Sequence, residues 1–266
     1  MMGSESLTID LILSGFLIFV RVSAVVMTAP FFSNNSFPIQ VRLYFAMVVS
    51  ILLFYVVPGE NTFVRATDGT VEIFVAIVAE LLVGAAMGFI GRLVFAGFDM
   101  AGTLISYNTG LSFAMMMDSQ TQQQNSIVAN ILGMLAILIF LSIDGDKIYI
   151  TALAKSYQIV PAVDHNVHLA GTYMLEVATY LFVLGVQLTA PFMMAIFLLD
   201  VCLAIFGRIM PQANLMFIAL PVKMGVGVSI FMLVLPYLPT AFDVVFQNLF
   251  FFLEGMLGNI MPTPPA

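Results

Sequence analysis

Tryptophan does not occur in this sequence, cysteine occurs once, and only 9% of the 266 residues are charged. Each shortage excludes something. A lone cysteine, Cys202, can form neither an internal disulfide nor a multi-cysteine metal site, and its apolar neighbours read it as a small buried hydrophobe. Against 15 Asp and Glu stand 8 Lys and Arg, scattered singly, for a formal charge of −7. That leaves no concentrated cationic face for phosphates, so nucleic acid is not an expected partner. Also missing are a Gly-rich phosphate loop, a nucleophile elbow and an HExxH helix, so neither an enzyme nor a cofactor is expected. His165 and His168 are three apart with Asp164 beside them, in a stretch that reads as a solvated loop and not a metal site.

What the sequence does have is apolar: 61% of its residues are hydrophobic. Soluble domains run at about 45 to 50% apolar and about 25% charged. The few charges here cannot supply a polar surface, so lipid or partner subunits must cover much of the protein. Spanning a bilayer core takes about 20 mostly apolar residues in a helix. Leu11 to Met27, interrupted by Arg21, is one such segment, preceded by Glu5 and Asp10 and no Lys or Arg, which does not suit a signal peptide. Further segments run over Leu43 to Val57, Ile73 to Phe98, Ile127 to Ile143, and Ile218 to Leu238. Tyr173 to Phe206 is too long for one simple span and contains Pro191 and Asp200, which predicts a helix broken or kinked near the proline. Phe242 to Leu257 reads as a last, amphipathic or interfacial helix.

Between these segments, Pro30 to Gln40 reads as a turn and Asn108 to Asn125 is the most polar stretch. Asp144 to Gly171 reads as the longest loop, and the tail from Met261 is proline-rich and expected to be disordered. Lys and Arg are spread evenly over alternate loops, so the positive-inside rule gives no orientation. Apolar helices without a Trp belt point to cover by protein, and hence to a subunit of an assembly.

Glu80, Gly84, Gly88 and Arg92 follow one another at intervals of four, which sets them along one helical face. Gly84 and Gly88 make a small-xxx-small pair suited to close helix packing. Charges within apolar segments can also mark an ion or proton pathway, so an ion-coupled secondary transporter using Glu80 and Arg92 stands as the alternative reading. No internal repeat of two halves supports it. Arg21, Asp200, Arg208, Lys223 and Asp243 are further isolated charges, and Arg21 and Lys223 are expected to pair with carboxylates or helix C-terminal carbonyls in the assembly.

Three stretches in order resemble the FliR family of flagellar export-gate proteins, called SctT in injectisomes. They are Arg21-Val-Ser-Ala with Pro30-Phe31 and Pro38; Glu80-Leu-Leu-Val-Gly84 with Gly88, Ala101-Gly102 and Gly110-Leu111-Ser112-Phe113-Ala114; and Pro191 with Asp200, Pro211-Gln212-Ala213-Asn214-Leu215-Met216-Phe217 and Pro221-Val222-Lys223. The family's Asp-Pro after the Gly-Leu stretch is here Asp118-Ser119, and its Gly-His is Gly145-Asp146.

The resemblance implies an all-α, multi-helix integral membrane protein whose broken or kinked hydrophobic helices pack into a superhelical, hetero-oligomeric gate. FliP-like and FliQ-like subunits and a FlhB-like switch protein are its implied partners, alongside membrane lipid and unfolded protein substrates. It implies a FliP-like helical part over 1–165 and a FliQ-like hairpin over 166–260, in the inner membrane within the flagellar basal body. Implied assembly residues are Arg21, Pro30, Glu80, Gly84, Gly88, Arg92, Pro191, Asp200, Pro211, Gln212, Asn214, Pro221 and Lys223. The implied pore plug holds Gly110, Leu111, Phe113, Met115, Met116, Met117 and Asp118, where unbranched methionines would repack around varied polypeptides.

Overall fold

A computed structural model describes residues 2–30, 38–56, 69–112, 126–160, 171–212 and 214–260, and among them the regular structure is helical with no strand. The α-helices are α1 (Met2–Thr28), α2 (Ile39–Val56), α3 (Thr70–Thr109), α4 (Ile127–Ser142), α5 (Gly145–Ile159), α6 (Gly171–Ile209), α7 (Leu215–Val234) and α8 (Leu238–Ile260). A 3-10 turn, Leu235–Tyr237, joins the last two and takes up Pro236. Among the described residues five runs are long and apolar enough to cross a membrane, and α4 with α5, bent by 67°, makes a sixth if taken as one broken span. At 1.5 Å per residue, α3 and α6 are each about 60 Å long, roughly twice the hydrocarbon thickness.

Two of these elements depart from the sequence reading. The stretch from Asp144 to Gly171 is not a long loop, because its first half is α5. The buried residues Tyr149, Ala152, Leu153, Ser156 and Tyr157 recur at three and four, while Lys147, Ile150, Thr151 and Gln158 stay exposed. That is one apolar stripe with a polar back. Pro191 does not break its helix, since α6 runs unbroken from Gly171 to Ile209. A membrane-type helix tolerates proline where neighbouring groups take up the freed carbonyl. A break does separate α4 from α5, at Ile143 and Asp144, where Asp144 takes a left-handed backbone, φ 58°. Cys202 is exposed, not buried, because the apolar residues around it, Leu198, Val201 and Ile205, belong to an outward face of α6.

The helices form two compact units that interleave along the chain, one of residues 1–93, 144–177 and 247–266, the other of residues 94–143 and 178–246. In the first, α1 packs on α2, and its core includes Leu17, Ile18, Val22, Ala46, Leu53 and Met87. Residues of α8 add Leu249, Leu253, Met256 and Leu257, all on one helical face. Phenylalanines fill the second: Phe98 stacks on Phe242 with ring centroids 3.9 Å apart, and Phe246 lies 5.3 Å from Phe140 and 5.6 Å from Phe95 and Phe98.

Glycine governs how closely α3 approaches its neighbours. A Cβ on Gly84 would collide with the Arg21 carbonyl, one on Gly88 with the Thr28 side chain, and one on Gly102 with the Ala129 backbone. Where the obstacle is backbone nothing can give way, and overpacking costs about 1–3 kcal/mol. Gly133 on α4 faces open space. Gly84→Ala should therefore lower the thermal midpoint of the detergent-solubilised protein by several degrees, whereas Gly133→Ala should hold or raise it, because alanine favours helix by about 0.5–1 kcal/mol over glycine. Equal midpoints for the two variants would refute the close approach at Gly84.

Candidate functional site

The first cluster of functional residues is built on α1, α5 and the part of α3 before residue 94, all within the first unit. Arg21 is 1% exposed, as is Glu80, and the guanidinium grips the carboxylate through two bonds, from Nε and from the second terminal nitrogen, the latter at 2.8 Å. Its first terminal nitrogen donates to Ser156 Oγ at 2.9 Å, and the second also donates to the Val160 carbonyl at 2.9 Å. The guanidinium carbon lies 4.1 Å from the centre of the Tyr157 ring, and the Tyr157 hydroxyl donates to the Ile18 carbonyl. Val160 caps the C-terminus of α5, where a cation is favoured by the helix dipole. Arg21 thus meets both kinds of partner the sequence reading named, a carboxylate and a helix-end carbonyl, inside its own chain.

Glycines let α3 lie close enough for this grip. Gly84 and Gly88 are buried against α1, and the row continues at Gly91, where a Cβ would strike the Tyr149 hydroxyl and crowd Pro30. Arg92 is exposed and does not share the face. Each step of four residues turns a helix about 40° too far, so three steps carry Arg92 about 120° away from Glu80. The turn is corrected by the step of three from Gly88 to Gly91. Gly91, Tyr149, Ser156 and Tyr157 were missed by the sequence reading. The signal for the glycine was the 4-4-3 spacing, and for the other three the periodicity hidden in a supposed loop.

A second constellation lies at the end of α3 in the second unit. Gly110 closes the helix with φ 78° and donates to the Tyr107 carbonyl. A side chain there would press on Leu220 of α7, and one at Gly227 would press on Thr109. Leu111 follows, half-buried, while Phe113, Met115, Met116, Met117 and Asp118 lie outside the described residues. The far end of that stretch is Ser126, which caps α4 by accepting from the Ala129 amide at 3.2 Å, donates to the Gly102 carbonyl at 3.3 Å and meets the Ser106 hydroxyl.

The third constellation, also in the second unit, is the α6–α7 hairpin. Lys223 pairs with Asp200 at 2.5 Å, the lysine about one-quarter and the aspartate about half exposed. Helix α6 ends at Ile209, Pro211 and Gln212 form the turn, and Asn214 precedes α7. Pro191 and Pro221 sit inside their helices, exposed, as are Pro211, Gln212 and Asn214. Among the described residues no His, Cys, Asp or Glu cluster has the form of a metal site.

The sequence from residue 12 to 249 matches the family model of bacterial export proteins, family 1. The chain belongs to the FliR family of flagellar export proteins. It is 32% identical over 248 residues to the flagellar biosynthetic protein FliR of Aquifex aeolicus, covering 93% of each chain. To that of Caulobacter vibrioides it is 32% identical over 217 residues, covering 80% of this chain and 85% of the relative. To that of Escherichia coli it is 29% identical over 248 residues, 91% of each.

The two ion pairs differ in burial, and removing one partner should separate them. Arg21→Ala strands a buried carboxylate, and loss of one member of a buried pair costs about 3–5 kcal/mol. Lys223→Ala leaves Asp200 half in solvent, where such pairs contribute about 0–1 kcal/mol. Yield and thermal midpoint of the purified membrane protein should fall steeply for the first and slightly for the second. Replacing Arg21 and Glu80 together by methionine should recover part of the loss, and no recovery would mean that Ser156 and Val160 dominate the cluster.

Proposed function

We propose that this chain, a component of the flagellar export apparatus, forms with FliP-like and FliQ-like subunits the gated pore through which unfolded substrates cross the inner membrane, with a FlhB-like protein beside it. The observation that carries this reading is the bareness of the C-terminal hairpin. In the most apolar stretch of α6 only 17% of residues are buried, and in that of the run Phe217–Gly258 only 6%. Phe197, Leu198, Phe217, Met232 and Leu233 are each more than half exposed, and among such residues sits the half-exposed Asp200–Lys223 pair. Lipid can cover the apolar side chains, but a charged pair in hydrocarbon is costly. Neighbouring helices that add hydrogen bonds suit both.

This reading treats 1–165 as a FliP-like part and 166–260 as a FliQ-like hairpin, with Pro191, Asp200, Pro211, Gln212, Asn214, Pro221 and Lys223 on its assembly surface. The length of α3 and α6 fits a gate raised partly out of the bilayer, since about 60 Å exceeds what one span requires. Gly110 to Gln124, with its run of methionines, is read as the seal of the closed pore. The carrier alternative finds less support. It needs Glu80 and Arg92 together, yet Glu80 is engaged by Arg21 and Arg92 lies on another face.

Expression with and without the partners distinguishes the readings. The chain should be obtained intact in quantity only together with FliP-like and FliQ-like subunits, and crosslinkers at Gln212 or Asn214 should reach a FliQ-like subunit. A solitary chain that is stable and moves a solute would instead favour the carrier. Removing Phe113 to Asp118 should leave assembly intact while making the membrane leak ions.

A further inference from the structure

Within the second unit, the middle of α6 turns a narrow stripe inward. Leu181, Gly185, Thr189, Phe192 and Ile196 are buried, at steps of four, four, three and four. Gly185 allows the closest approach, since a Cβ there would stand 3.0 Å from the Gly97 carbonyl of α3. Gln187 is two residues from both Gly185 and Thr189, about 200° around the helix, so it lies on the opposite face. It is exposed, as is Pro191 one turn further on, and the exposed Val183, Val186 and Met194 flank them.

Proline has no N–H, so the Gln187 carbonyl is denied the bond that the residue four further on gives in a helix. Thr189 does not replace it: its hydroxyl is on the buried face and donates its one proton to the Gly185 carbonyl at 2.8 Å. A backbone acceptor and a carboxamide thus share one spot on an otherwise apolar face. No charge stands between Glu176 and Asp200, and Gln187 is near the middle of that run of about 35 Å. Lipid tails bring no donor there, and a carbonyl left uncompensated in an apolar setting is costly. A helix carrying a hydroxyl or carboxamide does bring one, and can bond the Gln187 side chain in the same contact.

We infer that Gln187 and the carbonyl freed by Pro191 form a docking point for a helix of a partner subunit, one that presents a neutral hydrogen-bond donor, Ser, Thr, Asn or Gln, at this level of α6. The inference rests on the reading of the hairpin as an assembly surface. It adds to that reading a residue, Gln187, and the chemistry of what covers it. Pro191 sets the acceptor on the side of α6 away from its own core, where a partner can reach it.

A photoreactive residue at position 187 in the intact membrane complex should capture a partner subunit. Gln187→Leu removes both polar groups of the side chain at similar size, and Gln187→Asn keeps them. Through a detergent wash, the amount of partner subunit retained by the Leu variant should fall about three- to tenfold, as for an interhelical hydrogen bond lost, while the Asn variant retains most of it. Capture of lipid alone at position 187, beside protein crosslinks from Gln212, would overturn this inference and leave the hairpin reading standing. Protein crosslinks from neither position would remove both. Capture of a subunit at position 187 with full retention by the Leu variant would show plain apolar packing and overturn the donor, and so would an Asn variant no better than the Leu variant.

Discussion

An arginine side chain buried in an apolar helical protein must have nearly all its donors satisfied or the fold is lost, and the first unit is arranged around that demand. Arg21 has five N–H groups, and four bonds to Glu80, Ser156 and Val160 account for most of them. The partners come from two helices: the carboxylate from α3, the hydroxyl and the helix-end carbonyl from α5. Neutralisation alone would need only Glu80. The further bonds recruit α5, which brings neither cation nor carboxylate to the cluster and is docked by its dipole end, one serine and the face of Tyr157. The glycine row of α3 follows from the same demand, since a carboxylate can reach the guanidinium only where the two backbones come close.

The second unit meets its polar obligations differently. Its core is phenylalanine, and its Asp200–Lys223 ion pair is partly exposed. An open apolar hairpin with a charged pair set in it is what the proposed partner subunits would cover. The composition signals the same state, since a protein with so few charges and no Trp belt lacks both the surface of a soluble domain and the anchors of an ordinary bilayer protein.

Long apolar helices were legible because the signal for them is length and apolarity, which neighbours do not alter. The resemblance to an export family was legible from prolines, glycines and charges in order. Harder to read was α5, because its mean composition is that of a loop; only the recurrence of Tyr149, Ala152, Leu153, Ser156 and Tyr157 shows the stripe. Pro191 was read as breaking or kinking its helix and does not break it, because a proline's effect depends on which groups surround the freed carbonyl, and the sequence does not name them. Cys202 misled for a related reason, as apolar neighbours in sequence do not distinguish a core from an apolar outer face. The row Glu80, Gly84, Gly88 was read correctly as one face, and Arg92 was added to it by ignoring the drift of a four-residue step.

The two polar clusters sit at different strengths, and the difference suits different tasks. Breaking a buried ion pair costs about 3–5 kcal/mol, which against a total stability of about 5–15 kcal/mol makes the Arg21 cluster an all-or-none feature of the folded unit. A hydrogen bond between two serines contributes about 1 kcal/mol net. Losing it changes a population and leaves the fold standing. Had a carboxylate or arginine stood at position 106 or 126, parting α3 from α4 would strand a charge, and the contact would belong with the Arg21 cluster. Hydroxyls meet the demand that buried polar groups be paired, and join the end of α3 to the start of α4 by an interaction of modest strength.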